Sequence, residues 1–406
     1  MSGVQSPTLK RVLRSELCSG CGLCVGISDG AVEMETIAPG YSRPRQNAPV
    51  TPQVETAIAT ACPGAKVMPW TEGPNRHEYW GPWRQCLTGH ATDDDVRFSG
   101  SSGGAISALA IHALSTGLAE RVLHVSADPD YPTRNRIIWS KTPDEVIAGA
   151  GSRYASSSPL ASINEALEEG KPFVFIGKPC DVSALRQLAT VDDRVDALIP
   201  LKLSFFCGGM PSHDGADRVV RAMGMDPAEI TSFRYRGNGW PGLTRAETQD
   251  GQFAEMRYED SWGGHLSKEI QFRCKICPDA VGGVADIACA DAWYGGESGY
   301  PKFEEQDGRS LIMTRTEIGE NFLNDAVTGG ILATEKLAIE EVQLMQPAQA
   351  RRKRLVASRL AACSLMLQPR PAMNGLDVEK ASRAASIKEK LKNLLGTMRR
   401  IGTNQR

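Results

Sequence analysis

The stretch CSGCGLC, Cys18 to Cys24, most constrains what this chain can become. Three cysteines stand two residues apart, with Gly20 and Gly22 between them. Thiols this close in sequence are placed to share one metal centre, and the glycines let the backbone curl so that its amides point at sulfur. The iron–sulfur pattern C-x2-C-x2-C-x3-C-P puts a fourth cysteine before a proline, but Ser28 and Asp29 occupy those places. Cys62, followed by Pro63 in ACPGA, supplies a remote Cys-Pro and is the expected fourth ligand. With no second C-x2-C-x2-C before Cys62, this part of the chain is expected to hold one 4Fe-4S cluster. A structural zinc site, which shares C-x2-C pairs, is the competing reading.

The 406 residues leave room for two or three domains, and the 11 cysteines are clustered with Gly and Pro rather than spread as a disulfide framework. A formal charge of −2 offers no general field for nucleic acid. Charge is nevertheless uneven: from Arg351 to Arg406 there are 14 Lys and Arg against 3 Asp and Glu. The start MSGVQSPTLKRVLRSE lacks the apolar stretch of a signal peptide, and AISALAIHALSTGLA is too short and interrupted to span a bilayer. A cytoplasmic protein is expected.

Residues 1–85 are rich in turn formers and read as a small, ferredoxin-like module dependent on its metal. Residues 86–345 alternate strand and helix signals, and the expected class is mixed α/β with a largely parallel core. ERVLHVSAD, KPFVFIG and ALIPLKLSFF read as strands; SGGAISALAIHALSTG and DVSALRQLA read as helices. Residues 346–406 form a helical, basic C-terminal segment. KLAIEEVQLM, just before that segment, is helix-like with Pro347 limiting it, and QPRPAMNG is a linker. SIKEKLKNLLGTMRRIG places Ile387, Leu391, Leu394, Leu395, Met398 and Ile401 at helical spacing. Docking of that helix on its own protein competes with contact to an acidic partner or a membrane surface.

A second set of cysteines is scattered. GKPCDVSALR puts Cys180 between a strand and a helix capped by Asp181, LSFFCGG puts Cys207 at a strand end, and FRCKICPD carries Cys274 and Cys277. Carboxyl ends of parallel strands open on one crevice, so these four could converge there. Burial of Cys180 and Cys207 as core thiols is the alternative, and Cys289 competes for a ligand place. Cys86 and Cys363 lack such surroundings. FSGSSGG leads into a helix, and the amides of Ser101, Ser102, Gly103 and Gly104 could hold a phosphate, although the spacing fits neither the Rossmann nor the P-loop pattern.

SSGGAISAL, GSRYASSSPL, GKPCDVSALR, FFCGG, FRCKICPD and ADIACADAW, in this order and spacing, resemble the coenzyme F420 hydrogenase/dehydrogenase beta-subunit family over roughly residues 15–350. That family includes deazaflavin-reducing subunits and ferredoxin-dependent reductases of 7-hydroxymethyl chlorophyll and divinyl chlorophyllide. The resemblance implies FAD, with SSGG and the segment 151–158 (Ser152, Arg153, Tyr154, Ser156) as flavin-binding loops. It also implies that Cys180, Cys207, Cys274 and Cys277 hold a second 4Fe-4S cluster nearer the flavin. Cys289 departs from the family pattern, which leaves a ligand swap open.

The resulting expectation is an iron–sulfur flavoprotein oxidoreductase passing electrons from ferredoxin or a similar donor through two 4Fe-4S clusters to FAD and on to a small-molecule substrate. The alternative is an electron-transfer beta subunit of a hydrogenase or dehydrogenase complex that reduces or oxidises coenzyme F420. His265 and Tyr154 are the candidate proton donors. Lys178, Arg153 and Arg236 are candidate cations beside the flavin. YRGNGWPG, Tyr235 to Gly242, reads as a mobile loop near the site. No nucleic-acid partner is expected, while a homo-oligomer and a membrane contact through the basic tail stay open.

Overall fold

Two helix starts frame the first cysteines. A computed structural model describes residues 3–295 and 301–403. Helix Pro7–Arg14 begins where the Ser6 hydroxyl accepts the Leu9 N–H, and helix Pro52–Ala61 where the Thr51 hydroxyl accepts that of Val54. A proline opens each, where no hydrogen bond is lost. Between them lie a helical turn, Leu23–Gly26, and an antiparallel hairpin of Val32–Ile37 with Tyr41–Gln46. The second helix stops as the chain reaches Pro63, which leaves Cys62 at its C-terminal cap.

The core sheet has eight strands. In chain order they are β1 (Gln85–Ala91), β2 (Arg121–Ala127), β3 (Asn135–Ser140), β4 (Phe173–Gly177), β5 (Leu201–Phe205), β6 (Ile287–Asp291), β7 (Ser310–Thr314) and β8 (Leu332–Lys336). Their order across the sheet is β8-β1-β7-β6-β5-β4-β2-β3. The centre, β6-β5-β4-β2, is parallel, and the strands outside it pair antiparallel. The mixed α/β class is as expected, with parallel pairing confined to the strands covered on both faces. FVFIG is accordingly apolar throughout.

Helix α1 (Ala105–Ser115) and helix α2 (Pro179–Leu188) fall where the sequence places them. Asp181 does not stand at the N-cap of α2. Pro179 opens that helix one residue after Lys178, and the Asp181 carboxylate reaches back to accept the Lys178 N–H at 3.0 Å. ALIPLKLSFF splits at Pro200 into the end of a short helix, Arg194–Leu198, and β5. Leu17, Cys18 and Cys21 share one apolar cluster with Phe173, Val182, Leu185 and Phe272, so the N-terminal part and the sheet layers have a common core.

The helical stretch Ile339–Glu341 and Val342–Met345 ends at Gln346, before Pro347, as expected, and Pro347 itself opens the 19-residue helix α3 (Pro347–Leu365) at its first position. Helix α4 (Ile387–Gly402) packs along α3. The docked face is set partly by polar pairing, because the Arg359 guanidinium donates to Asn393 Oδ1 at 3.2 and 3.3 Å. Of the six apolar positions named above only Ile401 is buried, and Ile387, Leu391 and Leu395 stay exposed. No helix of the described residues is long and apolar enough to cross a membrane.

His124 on β2 is buried and its Nε2 lies 2.7 Å from Ser140 Oγ on β3. Burial pushes its pKa down to about 4, whereas the unfolded chain takes up the proton near pH ~6.5. Its contribution to stability is therefore complete above that pH and is lost as pH falls towards 4, about 3 kcal/mol in all. His213, also pushed down to about 4 by burial, adds to the slope. Urea unfolding across this range is expected to show His124→Gln losing less stability on acidification than the parent protein.

Candidate functional site

The first four thiols meet at one place. Cys18, Cys21 and Cys24 line the turn from Leu17 to Gly26, and Cys62 comes to them from the end of helix Pro52–Ala61. Gly22 has φ +83°, and a Cβ there would stand 2.8 Å from the Ser158 carbonyl oxygen, so only glycine lets this loop press on the segment 151–158. Burial raises all four thiols, Cys62 to about 11. Next in importance on Cys21 is Cys62, on Cys24 are Cys21 and Cys18, and on Cys62 is Cys18. The Gly20 N–H donates to Cys18 Sγ at 3.4 Å, and amides of Leu23, Val25, Gly64 and Ala65 act on the other three sulfurs.

Cys180, Cys207, Cys274 and Cys277 also come together. Lys178 and Cys180 follow the carboxyl end of β4, and Cys207 follows that of its neighbour β5. The pair Cys274 and Cys277 flanks the end of a short helical turn, Phe272–Lys275. Burial dominates the upward shift of Cys180, followed by Asp181, with Cys207 and Cys274 also acting on it. Cys207 is pushed to about 12 by burial and then by Cys274, with Cys277 contributing. Cys289 sits on β6 between Phe205 and Ile312, and burial alone shifts it. It stands apart from the four. Cys86 and Cys363 are likewise buried thiols away from either group.

No group of three or more His, Cys, Asp or Glu among the described residues is arranged around a single metal ion. Each set offers four thiols, the number that a tetrahedral zinc or a 4Fe-4S group takes, and a Cys-x2-Cys-x2-Cys run with a remote Cys-Pro is the iron–sulfur pattern. A buried thiolate is stable only with a cationic partner, and iron supplies one. The donor chemistry of both sites fits such groups.

Beside the second set lies a cavity of about 930 Å³. Ser101, Ser102 and Gly104 from the turn before α1 form one end, with Ser152, Arg153 and Tyr154 beside them. Cys207 and Gly208 form another wall, and α3 closes the cavity with Gln349 and Arg352. Tyr154 packs against Trp262 and Tyr235, with ring centroids 4.8 and 5.3 Å apart, and hydrogen-bonds Tyr258. Burial, then Tyr154, raises Tyr258 far above the usual phenol range, so that it holds its proton. The size and the mixture of aromatic walls with a Ser/Gly amide end suit a flavin dinucleotide.

Several expected residues serve other ends. Arg153 spends its guanidinium on Asn135 Oδ1 and on the carbonyls of Pro132, Arg134 and Phe233, which fixes the segment 151–158. Lys178 is paired with Asp181 at 2.7 Å; burial pulls its pKa down, but Asp181 and then Cys180 prevail and the net shift is upward. Gly103 turns from the cavity to the sheet, where its N–H donates to Ser310 Oγ at 2.9 Å. Ser156 faces the N-terminal hairpin and accepts the Ser42 N–H at 3.4 Å. His265 ends a π-helical turn, Asp260–His265, and does not line the cavity.

The Tyr235–Gly242 stretch is a packed wall rather than a mobile loop, since Tyr235, Arg236 and Trp240 are buried. Arg236 makes a two-pronged pair with Asp291, Nη1 to Oδ2 at 2.9 Å and Nη2 to Oδ1 at 2.8 Å, and Trp240 Nε1 donates to the same Oδ1. Sequence reasoning misses Asp291, Tyr258 and α3. Asp291 ends a parallel strand beside Cys289, and that position is the available signal. Nothing in the local spacing of α3 marks Gln349 and Arg352, which donate to the Cys207 carbonyl at 3.0 and 2.9 Å.

A parallel-centred sheet with cysteines and a cavity at its carboxyl edge defines a redox-type α/β site. Family models for the N-terminal and the C-terminal part of the coenzyme F420 hydrogenase/dehydrogenase beta subunit match residues 86–165 and 170–340, respectively. The chain belongs to this family, whose named members are oxidoreductases or their subunits. Coenzyme F420 hydrogenase subunit beta of Methanococcus voltae is 27% identical, covering 64% of this chain and 86% of that one. 7-Hydroxymethyl chlorophyll a reductase of Oryza sativa subsp. japonica is 25% identical, covering 54% of this chain and 45% of that protein. A chain of the F420-reducing [NiFe] hydrogenase complex from Methanosarcina barkeri shares the fold, with a TM-score of 0.57 and 19% identity over 74% of this chain and 99% of that chain.

Removing one partner of the Arg236–Asp291 pair strands a buried charge at the cavity wall. Asp291→Leu is expected to cost about 3–5 kcal/mol. Chemical denaturation at neutral pH measures this, and an unchanged midpoint would show that the pair contributes nothing to the wall.

Proposed function

We propose that the chain is an iron–sulfur flavoprotein oxidoreductase that takes electrons from ferredoxin or a similar one-electron donor and reduces a small organic molecule. Cys18, Cys21, Cys24 and Cys62 would hold one 4Fe-4S cluster, Cys180, Cys207, Cys274 and Cys277 a second, and the cavity FAD. The observation that carries this reading is the gathering of two separate sets of four thiols, one of them reaching the cavity wall through Cys207. Such clusters exchange single electrons and a flavin exchanges two as a hydride, so together they suit a one-electron donor and a two-electron substrate.

The chain's own residues fit this work. The amide end at Ser101, Ser102 and Gly104 favours a pyrophosphate. Tyr154 and Tyr258 share a hydrogen bond at the wall, and the proton that Tyr258 holds is available to the cavity. Helix α3 excludes water from the Cys207 side. His265 is not needed in this scheme.

The alternative, a beta subunit of a hydrogenase or dehydrogenase complex acting on coenzyme F420, is favoured by the name of the Methanococcus voltae relative. Purification of the native protein distinguishes the two, since a stable complex with a catalytic subunit fits only the second.

Anaerobic purification with iron, sulfide and flavin assays is expected to give about eight irons and about one FAD per chain. Cys62→Ser is expected to lose about half the iron, while Cys289→Ser keeps all of it. Full iron in the Cys62 variant would refute the assignment of the fourth ligand.

A further inference from the structure

The two cysteine sets meet across a junction made by Gln271 and Arg273. Arg273 directly precedes Cys274, yet its Nε and Nη2 donate to the carbonyl of Pro63, the residue after Cys62, at 3.3 and 3.0 Å. Gln271 Nε2 likewise reaches both sides, lying 3.5 Å from the Ser19 carbonyl oxygen and 3.5 Å from Cys274 Sγ. Arg273 is only 2% exposed. Arg236 and Lys178, also buried, each hold a carboxylate, whereas no carboxylate among the described residues pairs with Arg273. Held only by the neutral Pro63 carbonyl, this guanidinium carries a charge that no carboxylate among the described residues offsets.

We propose that Arg273 is a cation shared by both metal centres, a positioning residue that ties their loops together and favours the reduced state of each. This rests on the reading of the eight cysteines as ligands of two iron–sulfur clusters. A cluster held by these loops would gain a negative charge on each one-electron reduction, and a buried cation beside its ligands would offset that charge. A charge that acts on both centres moves both potentials in the same direction. Arg273 stands directly before Cys274 and is anchored on the residue after Cys62, so one guanidinium touches the loops of both sets. Arg352, in contrast, donates to the Cys207 and Gly208 carbonyls, both in the second set.

The test compares Arg273→Gln, Arg273→Lys and Arg352→Gln with the parent protein, purified anaerobically. Iron and sulfide are assayed first, and each sample is then titrated with dithionite while EPR follows both clusters. Arg273→Gln with full iron is expected to shift both midpoints to more negative potential, Arg273→Lys to restore much of the shift, and Arg352→Gln to shift one midpoint only. Full iron in Arg273→Gln with one midpoint moved, or neither, overturns the proposal. Should that variant fail to fold, the parent protein decides. Two reduced clusters on either side of one guanidinium interact magnetically, and a fully reduced spectrum that is a plain sum of two isolated signals overturns the shared position. A parent protein without iron refutes the cluster reading instead, and this inference falls with it.

Discussion

Eight thiols, two buried and six half-buried, in two adjacent sets impose the main constraint on this fold. A thiol withdrawn from water resists ionisation, and burial is the largest influence raising Cys18, Cys21, Cys24, Cys62, Cys180, Cys207 and Cys277. In the proposed role of metal ligands they would be thiolates, and compensating donors and cations stand at a place that is otherwise apolar. Backbone amides at Gly20, Leu23, Val25, Gly64 and Gly209 do part of this. Arg43, Lys178, Arg273 and Arg352 do the rest, and each comes from a different segment of the chain. The common core of the N-terminal part and the sheet is a consequence, because neither part alone encloses the junction between the sets.

What the sequence makes legible is whatever is fixed by local chemistry. The C-x2-C-x2-C run, the remote Cys-Pro and the strand ends carrying Cys180 and Cys207 are local signals, and the structure gathers those residues as expected. Helices α1, α2 and α4 follow from apolar spacing and caps in the same way. Pro347 acts twice: it ends the helical stretch before it, as its ring requires, and opens α3, which the following residues rather than the proline itself decide. Arg153 and Lys178 look alike in sequence as free cations, but three carbonyls and Asn135 engage the first and Asp181 the second. Such neutralisation depends on partners brought by folding, so composition cannot show it.

The role of α3 is hidden for a related reason. Read linearly, the segment after Arg351 is a run of basic residues, and such runs are usually solvated. Here its side chains turn inward to backbone carbonyls: Gln349 and Arg352 to Cys207, Lys353 to Pro278 and Leu376, and Arg359 to Lys275. Carbonyls beside a cysteine loop are acceptors left unpaired by the tight turn, and long cationic side chains satisfy them from a distance. The helix thus holds both loops of the second set at once, although it begins after the part of the chain that the family models match.

This arrangement also bears on how the C-terminal segment divides its charge. The inward face of α3 is committed to the cysteine loops, so its charges give no outward field. Helix α4 covers α3 through Asn393, Thr397 and Ile401 and leaves Lys388, Lys392 and Arg399 exposed with Ile387, Leu391 and Leu395. The basic tail therefore contains two chemically distinct layers. The inner one stabilises buried loops by charge-assisted hydrogen bonds, and its arginines cannot be exchanged for lysines without losing the planar fork that spans the Cys207 and Gly208 carbonyls. The outer layer makes no such contacts and can change without disturbing the cavity.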